Sequence, residues 1–249
     1  MKQRLRAAGI FGIPVIFLGL IGFTKIERAL LFFPSHRTAG GDLTPWTMNG
    51  TLIGYSRRID SPKNVWLVLH GNAGQASDRS YAIPHFSAGD SVFILEYPGY
   101  GSRAGTPSSD SFNKAAQEAY LLLRATFPKI PVCVFGESIG SGPASILAGL
   151  TPKPDKIVLV VPFDRLSSVA RDHFPSILVR LILTDDWDNI AALSKYSGPI
   201  EIYGAEDDRV IPFKHASALA AALPLSRFVP IPGGHNDWSN QEAVQIRNP

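Results

Sequence analysis

Apolar residues recur along this chain with two periods. Short runs rich in Val, Ile, Leu and Phe alternate with longer stretches in which apolar positions return every three or four residues. The first pattern predicts strands at 52–57, 65–70, 91–97, 131–136, 157–161, 200–204 and 227–231, with Asp60-Ser61-Pro62 as a turn between the first two. The second predicts helices at 111–126, 138–150, 213–222 and 237–246. In 111–126, Phe112, Ala115, Ala116, Ala119, Leu122 and Leu123 share one face, and Asp110 is placed to cap it. Runs such as IVLVV at 157–161 lack alternation, which suits strands covered on both sides. Strand–helix–strand order predicts βαβ units: an α/β fold with a mostly parallel central sheet and helices on both faces. Residues 164–195 lie between two strands and exceed a simple crossover, so they read as a small helical lid. Residues 50–249 hold no linker and form one domain, preceded by an irregular lead-in at 25–49 that contains Pro34, Gly40, Gly41 and Pro45.

The N-terminal stretch follows neither pattern. Residues 7–24 carry no charge and are mostly apolar. As a helix they would span roughly 27 Å, close to the hydrocarbon thickness of a bilayer. Lys2, Arg4 and Arg6 precede them; Lys25, Glu27 and Arg28 follow. This bias predicts a single-pass anchor (residues 1–24), with the N-terminus cytoplasmic and the domain on the outer side. A cleaved signal segment with secretion is the competing reading; the length of the stretch and the lack of an A-x-A site oppose it. In the 249 residues, Lys plus Arg is 24 and Asp plus Glu is 21, a net charge of +3. No basic run interleaves with aromatics, which excludes a nucleic-acid partner. A hydrophobic fraction of 45% excludes disorder. A single Cys133, in an apolar strand, excludes an internal disulfide and a Cys-based zinc cluster and reads as packing.

The sharpest chemical signal is Gly136-Glu137-Ser138-Ile139-Gly140, a G-x-S-x-G that follows an apolar strand and precedes a helix. Such a turn presents Ser138 at the carboxyl end of the sheet, near the positive end of a helix dipole. A serine hydroxyl needs a base, and the base needs an acid to orient it. Acidic residues Glu206, Asp207 and Asp208 follow the strand at 200–204, and Gly233-Gly234-His235 follows the strand at 227–231. Asp208 is the favoured acid because Val210 and Ile211 can anchor its loop; Asp207 is next. Donors for a developing oxyanion would be the backbone N–H of Ile139 and that of Asn72, in the loop His70-Gly71-Asn72-Ala73-Gly74. His70 reads as a brace for that loop rather than as a base. Asp164, after a strand, reads as a loop cap.

With these residues the chain resembles the α/β-hydrolases, and within them the membrane-anchored, small-lid branch of serine-aminopeptidase-like and depalmitoylase-like proteins. The resemblance covers about 52–246 and rests on LHGNAG at 69–74, EYPGYG at 96–101, GESIGSG at 136–142, PFDRL at 162–166, DDWDN at 185–189, DDRVIP at 207–212 and GGHND at 233–237. It implies Ser138 as nucleophile, Asp208 as acid and His235 as base, Asn72 and Ile139 at the oxyanion hole, Tyr100 lining the pocket, and 185–189 within the lid. It implies no cofactor. One departure is Gly-Ser-Arg-Ala-Gly at 101–105, where relatives more often carry Gly-x-Ser-x-Gly; it bears on loop shape alone.

The expected activity is a serine hydrolase acting on an ester, thioester or amide, with a small-molecule or acylated, lipid-like substrate suggested by the anchor. Alternatives on the same fold are an acyltransferase, a serine aminopeptidase in which Glu137 would hold the free amine, and a non-catalytic, membrane-tethered binding module. Fold alone does not choose among them.

Overall fold

Continuous Val, Ile and Leu runs assemble into one eight-stranded sheet in the computed structural model, which describes residues 28, 31–37, 41–247 and 249. The strands are β1 (Thr44–Met48), β2 (Thr51–Arg57), β3 (Val65–Leu69), β4 (Ser91–Leu95), β5 (Val132–Glu137), β6 (Ile157–Val160), β7 (Ile200–Ala205) and β8 (Arg227–Ile231). Their order is β1-β2-β4-β3-β5-β6-β7-β8. The β1–β2 and β2–β4 pairs are antiparallel and the others parallel. Both outermost strands contain a proline, Pro45 in β1 and Pro230 in β8. The expected membrane segment at 7–24 lies outside the described residues, among which no helix is long and apolar enough to cross a membrane.

Alternate residues of each central strand serve two cores, as the pleat requires. Val65, Leu67 and Leu69 of β3 face one core, and Trp66 and Val68 the other. The first core is covered by α-helices α1 (Ser109–Thr126), α2 (Ser141–Ile146), α3 (Leu166–His173), α5 (Asn189–Leu193) and α6 (Lys214–Ala222), while α4 (Ser176–Ile182) packs beside α3. Phe112, Ala116 and Ala119 of α1 and Leu219 of α6 pack there. The second core is covered by a 3-10 run at Ala76–His85, a 3-10 turn at Asp237–Asn240 and the chain end. Helical segments thus lie on both faces, but the regular α-helices gather on one.

Four elements differ from the sequence expectation. The lead-in contains β1, whose Trp46 is buried against Phe93. Helix α1 is capped by Ser108, not Asp110: Ser111 N–H donates to Ser108 Oγ at 3.1 Å, and Ser108 N–H donates to Ser111 Oγ at 3.0 Å. The expected helix at 138–150 is a 3-10 turn, the short α2 and a second 3-10 turn, because Gly140, Gly142, Pro143 and Gly149 weaken it. The expected helix at 237–246 ends at Asn240. Beyond it Val244 and Ile246, two apart, both enter the second core, and Ile246 N–H donates to His85 O at 3.0 Å.

Between β6 and β7 the expected lid has two unlike parts. Helix α4 buries only Val179, while Ile177 is 62% and Leu181 61% exposed. DDWDN, assigned to the lid by resemblance, instead latches onto the body through Asp185, Trp187 and Asn189, which are buried. Trp187 Nε1–H donates to Asn113 Oδ1 at 2.9 Å, Asp185 Oδ1 accepts Ser109 N–H at 2.7 Å, and Asn189 Nδ2–H donates to Phe163 O at 2.8 Å. The Trp187 ring lies so close to Gly142 that a Cβ there would come within 2.6 Å of it.

Candidate active site

Ser138 stands where β5 turns into the helical segment, with φ +54°, a left-handed conformation that a non-glycine residue adopts at a cost. The flanking glycines permit the tight turn. A Cβ at Gly140 would sit 2.0 Å from Leu69 O, and one at Gly136 would sit 2.7 Å from Ala144 Cβ. The motif is therefore a steric requirement for β3, β5 and α2 to approach one another.

The loops after β7 and β8 are laced together: Glu206 N–H donates to Ile231 O at 2.9 Å and Asp207 N–H to Gly233 O at 3.0 Å. This lacing sets Asp208 beside His235. His235 Nδ1–H donates to Asp208 Oδ2 at 2.6 Å, and Ser138 Oγ–H donates to His235 Nε2 at 2.8 Å. The carboxylate only accepts, so it fixes the imidazole tautomer and leaves Nε2 with its lone pair toward Ser138. The second oxygen of Asp208 accepts Val210 N–H and Ile211 N–H, both at 2.8 Å. Asp207 is exposed, and the imidazole is bonded to Asp208.

The 71–74 loop lies alongside. Gly71 N–H donates to Glu137 Oε2 and Ala73 N–H to Asn72 Oδ1, both at 3.0 Å, which leaves the Asn72 N–H between them unpaired among the described residues. The Ile139 N–H belongs to the residue directly after the serine, in the first turn of the helical segment. His70 braces the loop: its Nδ1–H donates to Gly71 O at 2.7 Å, and Tyr97 O–H donates to His70 O at 2.9 Å. Tyr100, expected to line a pocket, is instead fully buried, and its O–H donates to Asn72 Oδ1 at 2.8 Å. Burial pushes both tyrosine hydroxyls upward in pKa, so they stay protonated donors.

Glu137, the variable residue of the motif, is buried and saturated. Besides Gly71 N–H, its carboxylate accepts Tyr81 O–H at 3.0 Å and Trp238 Nε1–H at 3.1 Å. Arg79, buried next to it, donates to Tyr81 Oη at 2.9 Å, to Gly71 O at 3.1 Å and to Ala73 O. Nothing in the sequence pattern singles out Arg79, Tyr81 or Trp238. Their segments lack periodicity, and only the three-dimensional path of the chain brings them to the serine turn. Cys133 is buried in β5, and burial pushes its thiol up to about 12.

A second titratable cluster joins the lid to the body. His215 of α6 donates from Nδ1 to Asp164 Oδ1 and from Nε2 to Asp172 Oδ2 of α3, each at 2.7 Å. Burial lowers the pKa of His215, but the two carboxylates more than offset it and hold it above the usual value. Burial likewise opposes, without reversing, the downward pull of His215 on Asp164; Lys214 and His215 lower Asp172. His173 Nε2–H donates to Val210 O at 2.9 Å, so the same helix touches the loop that carries Asp208. Asp164, read as a loop cap, is thus half of this clamp.

No family model matches the chain. Among curated proteins it is 31% identical over 255 residues to an uncharacterized protein of Mycobacterium tuberculosis, covering 94% of this chain and 90% of that one. It is 32% identical over 224 residues to the lysophosphatidylserine lipase ABHD12 of Xenopus tropicalis, covering 78% of this chain and 57% of the lipase. Among solved structures it resembles an alpha-beta hydrolase of Vibrio vulnificus, with a TM-score of 0.60 and 19% identity over 76% of this chain and 74% of that one.

Proposed function

The chain belongs to the α/β-hydrolase superfamily, and on that premise we propose that it is a serine hydrolase cleaving an ester, thioester or amide of a lipid-like or acylated substrate through an acyl-Ser138 intermediate. The observation that carries the reading is the unbroken hydrogen-bond path from Ser138 Oγ through His235 to Asp208, at 2.8 and 2.6 Å. Ser138 Oγ attacks the carbonyl carbon while His235 Nε2 takes its proton. Asp208 holds the ring and offsets the imidazolium charge. The oxygen of the tetrahedral intermediate is received by the N–H groups of Asn72 and Ile139. His235 then gives its proton to the leaving alcohol, thiol or amine. Water, deprotonated by the same nitrogen, releases the acid from Ser138.

Two features favour an apolar acyl group. A groove of about 250 Å³ is lined by Leu31, Phe174, Leu178, Val179, Ile182 and Leu183. One of its lining residues, Leu31, is tied to the oxyanion loop, since its O accepts a hydrogen bond from Asn72 Nδ2–H. The related lysophosphatidylserine lipase acts on a lipid and points the same way, although this chain spans 57% of its length. We place the protein in the membrane through residues 7–24, with the domain on the outer side; the support is the uncharged stretch and the basic residues before it. The aminopeptidase alternative loses support, since Glu137 spends both carboxylate oxygens on the protein's own donors.

The test is labelling of the full chain, in detergent, with a fluorophosphonate, followed by a panel of short and long acyl esters. Ser138→Ala is expected to lose both labelling and turnover. Equal labelling of wild type and Ser138→Ala, or no turnover across the panel, overturns the reading.

A further inference from the structure

The side chain of Asn72 has a task separate from that of its backbone. Its Nδ2–H donates to Leu31 O at 2.5 Å. Its Oδ1 accepts Phe33 N–H at 3.0 Å, Ala73 N–H at 3.0 Å and Tyr100 O–H at 2.8 Å. Two of these four bonds reach across the sequence to the lead-in. Further along, Ser35 N–H donates to Gly74 O at 2.9 Å and Gly101 N–H to Ser35 O at 2.8 Å. Gln75 Nε2–H donates to Arg37 O at 3.1 Å, and Arg37 pairs with Asp78 at 2.8 Å. Residues 31–37 therefore lie as a strap over the 71–75 loop and the loop at 99–103.

The 71–75 loop has something to be held against. Ala73 has φ +57° and Gly74 has φ +94°. A left-handed non-glycine residue is strained and persists only where its surroundings enforce it. On the buried side Glu137 and Arg79 hold the loop. On the outer side the strap holds it, and of the two the strap is the side open to solvent, with Phe33 52% exposed.

We propose that residues 31–37 are a positioning element of the active site: bonded to the Asn72 side chain, they aim the Asn72 N–H at the site of the developing oxyanion. This rests on the serine-hydrolase reading of Ser138. In the sequence, Leu31 lies seven residues after Thr24, the last residue of the uncharged stretch. That short span joins residues 7–24 covalently to the strap, and the strap is hydrogen-bonded to the loop that carries the oxyanion donor.

The decisive variant in the full chain is Phe33→Pro, which removes the N–H given to Asn72 Oδ1. Asn72→Ala removes all four side-chain bonds, and Tyr100→Phe removes one of them while keeping the ring. Losing one oxyanion donor outright costs about 10²–10³ in kcat, so mispositioning one is expected to cost about tenfold in Phe33→Pro and Asn72→Ala and about twofold in Tyr100→Phe. KM for a short ester should stay within about twofold, because the donor acts mainly in the transition state. Affinity for a trifluoromethyl ketone, whose adduct carries the oxyanion, should fall in step with kcat. Phe33→Ala keeps the N–H and should recover most of the loss seen in Phe33→Pro. Amide exchange at 72–75 should be faster in Phe33→Pro than in Phe33→Ala. Wild-type kcat and ketone affinity in Phe33→Pro, or an equal loss in Phe33→Ala, overturns the inference. Wild type without labelling or turnover overturns the serine-hydrolase reading instead. Amide exchange then still reports on the strap: equal rates in the two Phe33 variants sink it independently of activity.

Discussion

The surroundings of Ser138 and the lid helices α3 and α4 treat their side chains in opposite ways. Around the serine the carboxylates are fully committed: Asp208 serves His235 and two backbone donors, and Glu137 serves Gly71, Tyr81 and Trp238. On the lid, Phe174, Ile177, Leu178 and Leu181 present apolar surface to open space. A committed polar network has one low-energy arrangement, whereas an apolar surface accommodates many partners of similar shape. On the serine-hydrolase function proposed above, the first region would set reaction geometry and the second the choice of substrate.

Three measurements test it. Asp208→Asn should have the largest effect. The Asn oxygen can still serve Val210 and Ile211, but its NH₂ then faces His235 Nδ1. That arrangement reverses the tautomer and directs an N–H at Ser138, so kcat should fall by roughly 10⁴-fold with little change in melting. A kcat within tenfold of wild type would show that the observed geometry is not the reactive one. A smaller, selective effect is expected for Phe174→Ser combined with Leu178→Ser. There kcat/KM for a long-chain ester should fall about tenfold while a short-chain ester is unaffected. Exposed positions of this kind should change stability by no more than about 0.5 kcal/mol each. Equal losses on both esters would move the lid into the reaction geometry and dissolve the contrast.

The smallest effect concerns the clamp between the regions. His215 has a raised pKa because it gains Asp164 and Asp172, so its contribution is complete below the unfolded value of about 6.5 and is lost as pH rises through the folded value. Asp164 and Asp172 are depressed, so theirs is present above about 3.9 and is lost as pH falls through their folded values. The stability difference between wild type and His215→Asn should therefore be greatest between these limits and shrink on both sides. A difference that is flat from weak acid to alkaline pH would show that the imidazolium does not hold α3 to α6.

The seven expected strands are present because a buried parallel strand leaves an uninterrupted apolar run, and β3, β5 and β6 read as such. Ser138, His235 and Asp208 were legible for a different reason: each follows a strand end, and parallel strands deliver their ends to one rim. β1 was hidden because Thr44-Pro45-Trp46-Thr47-Met48 mixes polar residues with a proline, and a strand with only Trp46 buried makes little pattern. The tie of Asn72 to residues 31–33 was hidden more deeply, because it consists largely of backbone groups whose partners lie about forty positions apart, 41 and 39 by separation. Backbone groups are the same in every residue, so no composition or period marks them. Tyr100 illustrates the limit of motif inference, since its motif located the loop but not the direction of the ring.

The prolines at the two margins of the sheet govern how this molecule can meet copies of itself. A growing ribbon of strands needs an unbroken row of free N–H donors along the flank it extends, and Pro45 and Pro230 each interrupt that row. Flank-to-flank joining into fibres or continuous-sheet dimers is disfavoured on either side. Any self-association at high local density would have to proceed through another surface.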